Sequence, residues 1–284
     1  MALPQPPMPQ TATCFRHPGR EAGRRCTRCG RPACTECLVQ ASVGSHCVEC
    51  AKQDRPPVAT KVRYWSARQP ILVTYSIIAL NIAVFIWLVV QNTSSFMSSN
   101  ITRGDPEFDL GLAKTYLADQ GEWYRLVTSG FLHFGIIHLA FNMLLLFQLG
   151  QLLEPAIGRI RFALLYFASL LGGSAGALLL QPDEFHGGAS GAVFGLMGGA
   201  VIALRARGIN PMDSGLGMVI LLNLGITFII PGISIGGHLG GLIGGTIAGF
   251  LLFEVGERMG RDALAYAGCA VLSALAVLGS VSVV

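Results

Sequence analysis

The strongest constraint on this chain is a succession of apolar runs, each close to the length that crosses a bilayer, separated by short polar segments. A hydrocarbon core needs roughly 20 apolar residues per helix. Such runs occupy Ile71–Val90, roughly His133–Leu153, Ile160–Leu180, the shorter Ala189–Leu204, roughly Gly215–Ile230, Ser234–Phe253 and Ala263–Val284. Backbone N–H and C=O groups find no water there, so each run must close its hydrogen bonds within a helix. An all-α polytopic membrane protein of seven spans is expected. Composition agrees: 13% of residues are charged, about half the usual share of roughly 25%. The 36 glycines of so apolar a chain point to close helix packing in lipid rather than to flexible linkers. A nucleic-acid-binding globule fits poorly, and no nucleic-acid partner is expected. Residues Met1–Gln10 are Pro-rich without an apolar core, so a secretory signal is not expected there.

Charge sets the expected orientation, because Lys and Arg concentrate on the cytoplasmic side. Counting alternate sides of the seven runs, seventeen of the twenty Lys+Arg fall on the N-terminal side, and only Arg103, Lys114 and Arg125 on the other. The N-terminus is therefore expected in the cytoplasm and the C-terminus outside, in a cell membrane. The expected organisation is a disordered N-terminus (1–13), a metal-binding head (14–50), a basic juxtamembrane linker (51–70), a six-span core (71–253), and a cytoplasmic loop with a seventh span (254–284).

The head holds seven of the eight cysteines. Cys14-x2-His17, Cys26-x2-Cys29, Cys34-x2-Cys37 and Cys47-x2-Cys50 are four ligand pairs within 37 residues. Two residues between ligands let one tight turn present both to a tetrahedral ion, and a reducing compartment disfavours disulfides. Eight ligands fill two structural zinc sites, and metal supplies most of the folding free energy of so small a core. The order resembles the cross-braced B-box zinc finger, which implies one site from Cys14, His17, Cys34 and Cys37 and another from Cys26, Cys29, Cys47 and Cys50. Consecutive pairing is the alternative, and His46 is an alternative ligand. The head is expected to dock a cytoplasmic protein partner rather than to catalyse. Cys269, alone in the last run, reads as a packing residue.

Polar side chains inside spans mark function by default, because burying them without partners costs several kcal/mol. Four stand out: His138 and Asn142 in span two, Ser190 in span four and His238 in span six. All three spans run in the same direction, and each residue lies in the first third of its span. They are therefore expected at one depth, nearer the outer face. His138 and Asn142, four apart, share a helix face. Gly191, Gly195 and Gly199 repeat along span four, and Gly237, Gly241 and Gly245 along span six, beside Gly236, Gly240 and Gly244. Such stripes let backbones approach closely, so that a hydroxyl and an imidazole can pair as nucleophile and base.

These residues resemble the rhomboid family of intramembrane serine proteases over about Ile71–Phe253. The resemblance rests on Gly188-Ala189-Ser190-Gly191, on His138 to Asn142 as HxxxN, and on His238-Leu239-Gly240-Gly241. Glu122-Trp123-Tyr124-Arg125 resembles the Trp-Arg element of the first external loop, with Tyr124 where Trp is usual. The resemblance implies a rhomboid-like six-helix bundle plus a seventh span (6+1), with the zinc head as an addition. It implies a Ser190–His238 dyad that cleaves transmembrane segments of membrane proteins, with Asn142, His138 and the Ser190 amide around the oxyanion. Catalysis itself is expected to need no cofactor. Gly187 and Gly188 would let the chain approach substrate without a Cβ. Glu154 and Glu254, about 18 Å or more along their helices from the site, are too far to join the dyad; Asp183 and Glu184 are nearer. His186 and Asn223 have no assigned role, and His133 reads as interfacial. A short span four beginning below the surface would put Ser190 in a water-reached cavity beside the Gln181–Gly188 loop. Three alternatives differ in class. A catalytically inactive rhomboid-like binder of transmembrane segments would lack Ser190 or His238. A transporter would show inverted repeats, and none is apparent. A docking module built on the zinc head would depend on residues 1–60.

Overall fold

The computed structural model describes residues 12–41, 43–53, 71–97 and 104–283. Most of the N-terminus expected to be disordered, most of the basic linker, and Arg103 lie outside those residues. The chain divides into two units, Met1–Arg68 and Gln69–Val284.

The described residues of the first unit hold little regular structure. Two antiparallel pairs, β1 (Arg24–Arg25) with β2 (Pro32–Ala33) and β3 (Leu38–Gln40) with β4 (Ser45–Cys47), are followed by helix α1 (Val48–Gln53). Six of its seven cysteines are buried, with Ala33 beside them. This is a core of sulfur rather than of aliphatic side chains.

The second unit is helical. Its apolar helices are α2 (Leu72–Gln91), α5 (Ile136–Ile157), α6 (Arg159–Leu180), α7 (Ser190–Ala206), α8 (Leu216–Ile229), α9 (Ile235–Phe250) and α10 (Asp262–Val283). Two short helices, α3 (Lys114–Gln120) and α4 (Arg125–Thr128), lie in the loop between α2 and α5. All seven expected spans are present as helices. Five are long and apolar enough to cross a membrane, while α7 and α8 are shorter apolar helices of 17 and 14 residues. The protein is a multi-pass membrane protein. Ile137, Phe141 and Leu144 of α5 and Leu221, Leu222 and Phe228 of α8 are exposed, as side chains solvated by lipid tails are.

One boundary differs from expectation. Span six does not end at Phe253 but continues as a π-helix over Leu251–Arg258. Glu254 marks where charge enters the sequence, yet Leu252, Phe253 and Gly256 are still buried. Arg258 pairs with Glu254, and Arg161 with Asp262 at the start of α10. The connection before α10 therefore shrinks to Met259–Arg261.

Helix α9 is the centre of the bundle, and its two glycine stripes serve two different neighbours. Gly237, Gly241, Gly245 and Gly249 face Gly191, Gly195 and Gly199 of α7, while Gly236, Gly240 and Gly244 face Gly172 and Gly176 of α6. A Cβ on Gly249 would lie 2.8 Å from Gly199 Cα, and one on Gly172 2.9 Å from the Gly240 carbonyl oxygen. Both neighbours are backbone and cannot swing aside. Gly191 also meets Gly173, so α6, α7 and α9 touch backbone to backbone. Outside this seam the packing is conventional, with Leu146, Leu153, Phe162, Leu165, Tyr166, Leu196 and Met197 fully buried.

At the far end of α5, Glu154 has a structural duty that the sequence did not disclose. Its carboxylate accepts the backbone N–H groups of Val73 and Thr74 at 2.8 Å and the Thr74 hydroxyl at 2.7 Å. An anion thus caps the N-terminus of α2, where orphan amides and the helix dipole favour it.

A Cβ on Gly240 would lie 2.8 Å from Gly176 Cα and against the Gly172 carbonyl, whereas one on Gly225 of α8 meets nothing within 4 Å. Gly240→Ala is expected to destabilise by about 2–3 kcal/mol through overpacking, and Gly225→Ala to be neutral or slightly stabilising. Unfolding in mixed detergent micelles checks both.

Candidate functional site

Ser190 is the first residue of α7, reached through a loop whose polar backbone is satisfied by its neighbours. His186 and Leu112 exchange backbone hydrogen bonds of 2.7 and 2.9 Å, Lys114 N–H donates to the Pro182 carbonyl, and Gly188 N–H donates to the Ser129 carbonyl at 2.8 Å. The loop before α5 thus lies across the loop before α7. Phe108 stacks on Phe185, with ring centroids 5.8 Å apart. Arg125, buried, holds this layer together: its guanidinium donates to the Phe108 and Gly111 carbonyls and to the Glu122 carboxylate. Tyr124, half exposed, only flanks it.

Gly188 sits at φ +126°, a conformation that side-chain-bearing residues rarely adopt. A Cβ there would fall 3.0 Å from His138 Nε2 and 3.7 Å from Ser190 Oγ. The missing Cβ lets the His138 ring and the serine hydroxyl converge on one point. At Gly187 the space is taken by Leu132 and Phe134.

His138 is oriented by Phe134, whose backbone N–H donates to His138 Nδ1 at 3.2 Å. A nitrogen that accepts carries no proton, so neutral His138 carries it on Nε2, on the side of the ring that borders Gly188. Asn142, one turn on, donates one Nδ2 hydrogen to the His138 carbonyl at 2.9 Å and keeps a second. The Ser190 backbone N–H, in the first turn of α7, faces no backbone acceptor among the described residues. His138 and Ser190 both border Gly188, and Asn142 lies one turn from His138 on the same helix face.

His238 reaches the cluster from α9. Its ring stacks on Phe194, one turn after Ser190 on α7, at 4.1 Å between centroids and 20° between planes. The flanking backbone is in contact as well: a Cβ on Gly191 would sit 3.2 Å from the Gly237 carbonyl oxygen. His238 Nδ1 lies 2.7 Å from the hydroxyl of Thr227 on α8. Among the described residues Ser190 Oγ and His238 share no hydrogen bond, and such contacts often tighten only with substrate bound.

Of the two carboxylates in the loop before α7, Glu184 is engaged elsewhere. Glu184 accepts from the Gln181 amide, whose oxygen accepts the Gly236 N–H. His186 is buried, with Nε2 2.7 Å from the Gln181 carbonyl. His133 is buried, with its ring 5.1 Å from that of His138. Asn223 hydrogen-bonds its own helix at Val219. Phe194 and Thr227 are the site residues that sequence reasoning missed. Phe194 follows Ser190 by four, and Thr227 lies near the end of span five that adjoins the start of span six, so the depth argument applied to His238 reaches both.

Beside Ser190 a cavity of about 40 Å³ is lined in part by Ser129, Ser174, His186 and Ser190. That admits a few waters at ~10–15 Å³ each.

In the first unit the donor atoms form two clusters, Cys14, His17, Cys34 and Cys37, and Cys26, Cys29, Cys47 and Cys50, each within 4.8 Å of one another. This is the cross-braced grouping. His17 Nδ1 lies 3.5 Å from Cys34 Sγ and 3.4 Å from Cys37 Sγ, and Cys29 Sγ 3.8 Å from Cys47 Sγ. A tetrahedral ion with ~2.3 Å metal–sulfur bonds separates its ligands by ~3.5–3.8 Å, whereas a disulfide needs ~2.05 Å. Both clusters can hold a metal ion. Burial opposes ionisation of Cys14, but the Cys34, Arg16 and His17 backbone amides outweigh it and hold the thiol down to about 6. The Arg31 backbone and guanidinium lower Cys29 in the same sense. Burial and the neighbouring thiols push Cys37 and Cys50 up instead, so each cluster sets a readily ionised thiol beside one that resists it.

The fold and site together define a helical membrane protein that encloses a serine, two histidines and an asparagine at one end of its bundle. Residues 120–255 match the rhomboid domain family. The chain is 37% identical to the rhomboid protease GluP of Bacillus subtilis over 58% of its own length and 32% of GluP. It is 33% identical to the rhomboid YdcA of the same organism over 53% of its own length and 75% of YdcA. With RHOMBOID-like protein 4 of Arabidopsis thaliana it shares 35% identity over 50% of its length and 37% of that protein. The chain belongs to the rhomboid family.

Arg125→Met is expected to leave the Glu122 carboxylate and two carbonyls without their shared donor, at a cost of about 3 kcal/mol. Limited proteolysis should then cut first within residues 104–124, a region the wild type protects.

Proposed function

We propose that this chain is an intramembrane serine endopeptidase that cleaves transmembrane segments of membrane proteins with Ser190 as nucleophile and His238 as general base. The observation that carries the reading is the convergence at Ser190: Phe194, one turn along, stacks on His238, while His138 Nε2 approaches from the other side at Gly188. In the proposed reaction His238 Nε2 removes the Oγ proton as Oγ adds to the scissile carbonyl. The oxyanion is held by His138 Nε2–H, Asn142 Nδ2–H and the Ser190 N–H. His238 then returns the proton to the leaving amine, and water from the adjoining cavity hydrolyses the acyl-enzyme with His238 again as base. Fixed donors in a dry site stabilise developing charge better than water does. Gly187 and Gly188 line that cavity, where a substrate backbone would approach. Presence of both Ser190 and His238 speaks against an inactive binder.

The charge asymmetry of the loops supports an N-terminus in the cytoplasm, a C-terminus outside, and a cut near the outer end of the substrate helix. Helix-weakening Gly, Ser or Pro near the bond should favour cleavage. The six-span core over 71–253, the 6+1 arrangement and the head over 14–50 are taken as functional divisions. In the head the two clusters are proposed to bind structural zinc: four sulfur donors, or three with His17, suit that ion. A folded head of this size suits docking of a cytoplasmic protein.

Ser190→Ala and His238→Ala are each expected to abolish cleavage of a single-span reporter and labelling by a fluorophosphonate while the protein stays folded. The double variant should be no worse than either single one, because the pair acts as a unit. Asn142→Ala should lower kcat by roughly 10²-fold. Robust cleavage by Ser190→Ala, or product ends mapped by mass spectrometry to the cytoplasmic end of the substrate, would overturn the assignment.

Elemental analysis of the full chain is expected to return two zinc ions, and none for a truncation beginning near Ala59. That truncation should still cleave the reporter in detergent, since about 30 Å of hydrocarbon separates the proposed faces. One zinc, or a disulfide-linked head without metal, would contradict the head assignment.

A further inference from the structure

Helix α8 is bound loosely to the bundle. Of its residues only Gly217 and Thr227 are buried, and most of its large side chains face outward. Thr227 is the exception in chemistry as well as in burial. Its hydroxyl lies 2.7 Å from the Asn223 carbonyl of its own helix and 2.7 Å from His238 Nδ1.

A hydroxyl has one hydrogen. The Asn223 carbonyl can only accept, so the Thr227 proton is committed to it. What the hydroxyl offers His238 is a lone pair, and His238 must meet it with Nδ1–H. A neutral imidazole with hydrogen on Nδ1 has a bare Nε2, the state a general base needs. His138 shows the reverse arrangement, since its Nδ1 accepts the Phe134 N–H and its Nε2 is a donor. Phe194 covers one face of the His238 ring but cannot distinguish the two nitrogens. No carboxylate side chain hydrogen-bonds His238 among the described residues.

We infer that Thr227 is the positioning residue of the base: with its proton held by Asn223, its hydroxyl accepts His238 Nδ1–H and fixes the tautomer that leaves Nε2 free to take the Ser190 proton. This rests on the proposed protease reading for its consequence, but not for the hydrogen bond itself. The arrangement does the orienting work of a third catalytic member without a charge, which suits a site in lipid where a carboxylate is costly.

The test compares Thr227→Val, which keeps the shape and removes the hydroxyl, with Thr227→Ser, which keeps the hydroxyl. In the full-length protein with 15N-labelled histidine, assigned by difference from His238→Gln, the wild-type His238 should show hydrogen on Nδ1. Thr227→Val should shift it toward the Nε2–H form, and Thr227→Ser should not. The fluorophosphonate labelling rate should fall roughly tenfold in Thr227→Val, the loss of one buried hydrogen bond, and recover in Thr227→Ser. With a peptide reporter the loss should appear in kcat rather than KM, with the thermal transition little changed. A wild-type His238 with hydrogen on Nε2, or a Thr227→Val spectrum identical to wild type, would overturn the inference. Equal impairment of the Val and Ser variants would do so too, since it would assign the effect to packing. Absence of labelling in the wild type would instead count against the protease reading, while the nitrogen spectra still decide the role of Thr227.

Discussion

Everything at the site depends on helices meeting backbone to backbone. Leu-lined helices keep their axes about 8–10 Å apart, too far for a hydroxyl on one to share a proton with an imidazole on the next. The glycines of α9 remove that separation on two sides at once, toward α7 and toward α6. In lipid no hydrophobic effect drives helices together, so close van der Waals packing is the main attraction available. The same contact therefore holds the bundle and sets the spacing of its polar residues. Ser190 directly precedes the first glycine of one stripe and His238 directly follows the first glycine of the other.

Within that frame, two histidines differ in what faces Nδ1. A backbone N–H at His138 makes Nε2 a donor; at His238 a hydroxyl faces Nδ1, and the tautomer inferred above leaves Nε2 an acceptor. Neither arrangement places a second charge in the membrane. Three charges are matched by partners: Arg125 by Glu122 and two carbonyls in the covering loop, Glu154 by the first amides of α2, and Arg161 by Asp262. Each ties together segments distant in sequence. The short α7 and its preceding loop leave a polar-lined cavity at Ser190, so water has a place beside its hydroxyl although the surroundings are apolar.

The N-terminal unit solves a different problem. With scarcely any aliphatic core, it buries sulfur instead, and the alternation of its ligand pairs interlocks two clusters so that neither can form from a contiguous stretch of chain.

The sequence by itself determined the seven helical runs, because hydrocarbon leaves the backbone no other way to close its hydrogen bonds. It also determined Ser190, His238, His138 and Asn142 as the residues to watch, because polar groups inside such runs are too costly to be incidental. The ligand pairs of the head were equally legible, since their two-residue spacing is local. What only the tertiary structure decided is which atom faces which. That α9 divides its glycines between two partners follows from a helix having two sides, and residue order does not say which neighbour takes which. The π-helical continuation past Phe253 depends on packing that outweighs the charge at Glu254. Thr227 was invisible because a threonine in a membrane helix ordinarily bonds its own i−4 carbonyl, as this one does; only the fold brings His238 Nδ1 to the lone pair left over.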